Sequence, residues 1–130
     1  MRDFARNISP ALSLPPAARN ATANGTAVDL LGFGTAAVLV TFGAWTDGTH
    51  TPKLQESDNG TSGWTDVASI DMAGSFSAVS SAAGQNAVQR ASYIGNKRFI
   101  RPVLTLSGAT TGALSSVQVV RGNPTALPAV

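Results

Sequence analysis

The sequence predicts an all-β domain, a jelly-roll or Greek-key β-sandwich of about eight strands with an extended N-terminal arm. Short runs of β-branched and aromatic residues alternate with Gly, Asn, Asp and Thr clusters, at the ~8–12-residue spacing typical of sandwiches. No stretch carries the apolar stripe of a capped helix. The chain has 130 residues, the length of one domain, and about eight strands suit two packed layers.

Residues 1–24 are predicted to form the arm, because its prolines break any helix and favour extended backbone before them. These prolines are Pro10, Pro15 and Pro16, and the apolar side chains between them include Ile8, Leu12 and Leu14. Such an arm either packs along its own domain or reaches a neighbouring subunit. On the second interpretation, deleting residues 1–20 leaves the sandwich folded but abolishes partner binding.

Residues 25–122 are predicted to form the sandwich. Strands are expected at 26–31, 35–42, 52–58, 64–70, 87–94, 98–106 and 113–120, with a short one in the connection 71–85. The run 35–42 is almost continuously apolar, which predicts a central strand buried on both faces. Pro102 predicts that its strand lies on an edge or carries a bulge. Residues 123–130 are expected to be an extended tail.

A hairpin is predicted at Asn59-Gly60, since both residues tolerate the positive φ of a tight turn. The strand before the turn alternates, with Leu54 facing one way and its neighbours the other. The hairpin should therefore bring Leu54, Trp64 and Val67 together on the inner face of the sheet.

Charge argues against nucleic acid and membranes as partners. Charged residues make up 12% of the chain and the net charge is +2, so much of the surface is uncharged or covered by a partner. The nine Lys and Arg are spread along the chain, with Lys97, Arg98 and Arg101 as the densest group, whereas a nucleic-acid binder normally carries a basic stripe. No apolar run approaches the ~20 residues of a membrane span.

The inventory of reactive side chains predicts that the protein is not an enzyme. There is no cysteine and a single histidine, His50, so a zinc site would lack ligands. No serine lies in a G-x-S-x-G context. The carboxylates around the hairpin are expected to be turn formers. We therefore predict no catalytic residue, no cofactor and no metal, and Trp45 or Trp64 stacking on a sugar is the remaining binding alternative.

Three segments resemble a family of small virion structural proteins from tailed bacteriophages. They are TFGAWTDGTHTPKLQESD at 41–58, YIGNKRFIRP at 93–102 and SGATTGA at 107–113. The resemblance spans most of residues 26–122. It implies a head decoration (cement) protein on the capsid exterior, which binds the junctions between major capsid subunits. No catalytic residues come with the resemblance.

On this interpretation the partners are the major capsid protein and further copies of the chain. Partner binding is assigned to Ile8, Leu12 and Leu14 of the arm and to Arg98 and Arg101. A homotrimer at threefold positions would match capsid symmetry. Two alternatives stay open: a head–tail or tail component of the virion, and a carbohydrate-binding adhesion module on the particle surface.

Overall fold

The computed structural model describes residues 3–126, and regular structure in that range is almost entirely strand. In chain order the strands are β1 (Ile8–Arg19), β2 (Ala23–Asn24), β3 (Val28–Asp29), β4 (Phe33–Trp45), β5 (Thr49–Ser57), β6 (Thr65–Asp66), β7 (Met72–Ala73), β8 (Ala87–Tyr93), β9 (Phe99–Ser107) and β10 (Ala113–Pro124). Three single turns of 3-10 helix lie at Ala5–Asn7, Ser69–Asp71 and Ala82–Gly84. No helix in the described range is long and apolar enough to cross a membrane.

The strands form two antiparallel sheets that pack as a sandwich, which confirms the predicted fold class. The first sheet has the order β1-β10-β4-β8-β7, and the second has the order β2-β9-β5-β6, with β3 also paired to β9. The core between them contains Leu14, Val28, Val38, Val40, Phe42, Leu54, Val79, Ile100, Leu104, Val117 and Val119. Tyr93 of the first sheet also donates a hydrogen bond of 2.6 Å to Glu56 of the second, and burial raises the pKa of Tyr93.

The central strand β4 is buried on one face, so the prediction of burial on both faces is wrong. Val38 and Val40 are at most 1% exposed, whereas Thr41 is exposed and Leu39 only partly buried. Successive side chains of a strand point to opposite sides. Leu39 and Thr41 therefore lie on the side of β4 that faces away from the core, opposite to Val38 and Val40.

The segment predicted as an arm contains all of β1, an outer strand of the first sheet. It pairs with β10 from Ile8 opposite Gly122 to Arg19 opposite Ala113, and Leu14 is 5% exposed in the core. The sequence left open whether this segment packs along its own domain or reaches a neighbouring subunit. In the structure it packs along its own domain. An outer strand tolerates the three prolines because one of its sides needs no backbone donors.

The last long strand extends into the predicted tail. β10 continues to Pro124, which pairs with Phe33, and the N–H of Thr125 donates to the carbonyl of Gly32. Residues 127–130 of that tail, and residues 1–2, lie outside the described range.

Pro102 lies on an interior strand, so its assignment to an edge is wrong. β9 has β5 on one side and both β2 and β3 on the other. The Pro102 carbonyl accepts from the N–H of Gly25 at 2.7 Å, and a strand residue directs its nitrogen and its carbonyl toward the same neighbour. The nitrogen of Pro102, which has no hydrogen to donate, therefore faces the interruption between β2 and β3.

The hairpin after β5 is confirmed, but its return strand is two residues long, shorter than the predicted 64–70. Gln55 pairs with Asp66. Leu54 is 2% exposed and Val67 packs against the core, as predicted. Trp64 does not join them, because its ring is covered by Arg101 on the outer side of the sheet.

Candidate interaction surface

The histidine is a core residue. His50 is 0% exposed, and its ring meets Phe42 edge-on at 6.2 Å between centroids. Its Nε2 lies 3.0 Å from the carbonyl oxygen of Asp47. In the described chain neither ring nitrogen is hydrogen-bonded to a carboxylate. The arrangement thus lacks the His–carboxylate pair of a hydrolytic triad.

Asp47 holds a turn together. Its Oδ1 accepts backbone N–H bonds from Thr110, Thr111 and Gly112 at 3.1, 3.2 and 2.6 Å. These bonds, that of Gly112 foremost, lower the pKa of Asp47. Across residues 3–126, no three His, Asp or Glu side chains lie close enough together to hold a metal ion.

The basic group at 97–101 is engaged by partners from distant strands and loops. Lys97 Nζ lies 2.9 Å from Asp58. Arg98 binds Asp29 through two parallel hydrogen bonds of 2.9 and 2.8 Å. The Arg98 guanidinium lowers the pKa of Asp29 to about 2. Lys97 and Arg98 are thus both paired with carboxylates of the same chain.

The outer side of the second sheet is polar. Asp66 accepts a hydrogen bond of 3.0 Å from Gln55 and lies 3.2 Å from Lys53 Nζ. Gln55 Oε1 in turn accepts two N–H bonds from Arg101, at 2.9 and 2.8 Å. The Arg101 guanidinium lies 4.5 Å from the centre of the Trp64 ring. We call this surface, formed by Lys53, Gln55, Asp66, Arg101 and Trp64, the polar face.

Both tryptophans are engaged by other groups of the fold. Trp45 is partly buried against the core, and its indole N–H donates to the carbonyl of Gly48 at 3.0 Å. Trp64 has one ring side covered by Arg101. Stacking on a sugar needs a free ring side beside polar groups, which only the uncovered side of Trp64 could supply.

The outer side of the first sheet differs sharply in chemistry. We define this surface by thirteen of the side chains that strand alternation and register place there. They are Ile8, Pro10, Leu12, Ala37, Leu39, Thr41, Val88, Arg90, Ser92, Leu114, Ser116, Gln118 and Val120, and none of them is buried. We call this surface the apolar face. Leu12, Val88 and Leu114 are 51, 62 and 48% exposed.

Charge is nearly missing from the apolar face. Of its thirteen side chains only Arg90 is ionised, and none is acidic. The other polar groups there are the hydroxyls of Thr41, Ser92 and Ser116 and the amide of Gln118. A contiguous exposed surface of this composition is typical of a binding site in a folded protein.

Two grooves lie along this face, one toward each end of the strands. One of about 450 Å³ is lined by Ile8, Ala37, Ser92 and Val120, with the exposed ring of Phe4 at its side. The other, of about 360 Å³, is lined by Pro16, Ala17, Thr41, Gly43 and Leu114 to Ser116.

The predicted partner-binding residues are separated by the fold. Ile8 and Leu12 lie on the apolar face, whereas Leu14 points into the core. Arg98 and Arg101 belong to β9 and its approach, on the other sheet, where Asp29 and Gln55 engage them. The structure therefore brings together only the first two of the five.

Other residues of the apolar face were not predicted to bind a partner. They lie within runs that the sequence predicts to be core strands, and include Leu39, Val88, Leu114 and Val120. The sequence signal that could have identified them is the pattern of apolar and polar residues along each strand. In 113–120 and 35–42 both sets of alternate residues include apolar side chains. A strand with one side in water is expected to carry polar side chains at every second position.

Comparison with known proteins adds the fold and no family. No family model and no curated protein matches the sequence. The crystal structure of the PBSX exported protein XepA is similar, with a TM-score of 0.58 and 18% identity over 88% of this chain. This chain spans 37% of the length of that one. At this identity the likeness shows that the two share a fold.

A second structure is more distant. It comes from Bacillus endospore appendages, described as a novel family of disulfide-linked pili. Its TM-score is 0.45 at 13% identity, over 94% of this chain and 93% of that one.

Proposed function

We propose that the chain is a structural protein of a bacteriophage particle, and that it acts as a decoration (cement) protein on the capsid exterior. The apolar face is the observation that carries this proposal. It gives the protein a surface for stable contact with a neighbour, and the reactive side chains described above serve the fold. The protein would therefore act through contacts and catalyse no reaction.

The physical basis is the free energy available from covering that face. Burying apolar surface contributes about 25 cal/mol per Å². Permanent interfaces are more apolar than transient ones and resemble a domain core cut in half. A face with Arg90 as its one charge needs little desolvation of ions on contact, so most of that gain is retained.

Two further lines support a phage particle as the setting. The segments at 41–58, 93–102 and 107–113 resemble virion structural proteins of tailed phages. The fold is shared with an exported protein of PBSX. The second line also favours another candidate, a phage-encoded protein that is exported without joining the particle.

The test is to locate and count the protein in purified particles. Cement is expected on the shell in copy numbers comparable with the major capsid protein, which quantitative mass spectrometry and electron microscopy of intact particles both measure. Few copies confined to the tail would show a tail component instead. Recovery only in the particle-free supernatant would favour the exported protein and contradict the proposal.

Matched variants test whether the apolar face makes the contact. Leu39→Lys places a charge at the centre of the apolar face, and Thr105→Lys places one on an exposed position of the second sheet. Particle binding should fall at least tenfold for Leu39→Lys and stay unchanged for Thr105→Lys. Equal binding by both folded variants would exclude the apolar face as the docking surface.

A further inference from the structure

We propose that the apolar face packs against the same face of a second copy of this chain, in a two-fold symmetric pair. The inference rests on the proposed function for its premise that the apolar face is a docking surface, and it names a second copy as the neighbour that covers this face on the particle, so that the pair contacts the shell through its other surfaces. The two-fold axis would run parallel to the strands, between β10 and β4. Three features of the described residues lead to this arrangement.

The first feature is size. Four long strands (β1, β10, β4 and β8) contribute to the face. With this axis β10 and β4 overlap over about twelve residues each, and β1 and β8 over the seven residues of β8. At ~4.8 Å between strands and ~3.3 Å per residue, these stretches cover roughly 600 Å² per copy. Two copies would bury about 1,200 Å², which is the lower end of the range for specific, stable interfaces. The face is therefore large enough to hold a pair together.

The second feature is the position of the single charge. Register places Leu12, Gln118, Leu39 and Arg90 in one row across the four strands. An axis along that row would set Arg90 against Arg90 of the other copy, and like charges repel. An axis parallel to the strands sets Arg90 over Leu12 of the other copy instead, at the rim, where the guanidinium stays in water.

The third feature is that the neighbouring edge is poorly suited to pairing with another strand. β1 carries Pro10, Pro15 and Pro16, and its register with β10 is irregular on both sides of Leu14. Prolines and irregularities of this kind protect edge strands from edge-to-edge pairing. Association at this side of the molecule is therefore expected face to face.

A second copy also fits the chemistry better than a charged partner. A partner with several ionised groups would leave them desolvated and unpaired against thirteen side chains of which one is charged. A second copy supplies a surface of matching composition, and two antiparallel sheets pack face to face at ~10 Å with side chains interleaved. A contact of this kind closes at two copies.

The test uses light scattering and single-cysteine cross-linking. The natural chain has no cysteine, so Leu39→Cys near the axis and Thr105→Cys on the second sheet give a matched pair. The unaltered protein should show the mass of a dimer. A bis-maleimide with a reach of about 10 Å, the spacing of packed sheets, should cross-link Leu39→Cys at least tenfold faster than Thr105→Cys. A mixture of Leu12→Cys and Arg90→Cys chains should cross-link faster than either alone.

A monomer or a trimer at all concentrations would overturn the inference, as would equal rates for Leu39→Cys and Thr105→Cys. Rapid cross-linking of Arg90→Cys alone would overturn the placement of the axis. The proposed function fails separately. A monomer found on phage shells overturns the pair alone, whereas a dimer missing from particles overturns the cement role alone.

Discussion

Removing residues 1–19 should unfold the domain, although the sequence alone suggested a dispensable arm. The deletion removes β1, which pairs with β10 from end to end. It also removes Leu14 from the core and uncovers one side of β10, the strand that carries Val117 and Val119. The perturbation thus affects the interior of the sandwich.

The loss of folding free energy can be added up from the contacts that the deletion removes. Truncating a side chain as buried as Leu14, which is 5% exposed, costs about 2–5 kcal/mol. Losing the backbone ladder to β10, at about 0.5–1.5 kcal/mol per hydrogen bond, adds several more. A domain of this size has roughly 5–15 kcal/mol in total. The deletion should therefore leave little or no folded protein.

Urea denaturation followed by circular dichroism measures this, with two point variants as graded controls. Leu14→Ala should lower the free energy of unfolding by about 2–5 kcal/mol. Leu12→Ala, two residues away and 51% exposed, should change it by less than about 1 kcal/mol. A truncated chain that unfolds cooperatively at the midpoint of the full chain would refute the reasoning, as would equal losses for Leu14→Ala and Leu12→Ala.

Three further outcomes are expected. Gly112→Ala should destabilise the fold by more than about 2 kcal/mol, because φ is +83° and a Cβ would overlap a backbone carbonyl at the end of β1; an unchanged melting temperature would contradict this. Arg98 lowers the pKa of Asp29 from 3.8 to about 2. The stability that the ion pair contributes is therefore complete above the pKa of Asp29 in the unfolded chain, and it is lost as pH falls from about 4 toward 2. Both side chains are partly exposed, so the loss should stay under about 1 kcal/mol; urea titrations across that window should show a smaller loss in Asp29→Asn, and an equal loss would exclude the pair as its source. Arg101→Ala should uncover the ring of Trp64 and shift its fluorescence emission to the red, at a cost of about 0.5–1 kcal/mol; an unshifted spectrum would argue against the stacking.

Local patterns predicted the elements of this fold well. The alternation around Leu54 and a chain reversal near Asn59-Gly60 depend on residues close in sequence, and the structure has both. The connection is a loop over residues 58–64 in which Gly60, and not Asn59, has a positive φ, so the tight two-residue turn is not formed. The position of Pro102 depended on a neighbour more than seventy residues earlier in the chain. Because the partner strand is interrupted beside it, an interior strand could accept a proline that local rules assign to an edge.

The candidate surface was only partly predictable. An apolar side chain that points out of a sheet looks the same in sequence as one that points in, so Leu39 was assigned to the core. Leu14 was assigned to partner binding for the opposite reason, since the strand that pairs with it lies about a hundred residues away. Arg98 and Arg101 looked available because Asp29 and Gln55, which engage them, come from other strands.

The pairing of the first long strand with the last has a consequence for synthesis. Ile8 leaves the ribosome early and must wait for Gly122, its partner in the ladder. Contacts between such distant segments form slowly because closing a long loop costs entropy. Until β10 emerges, the growing chain cannot complete its first sheet.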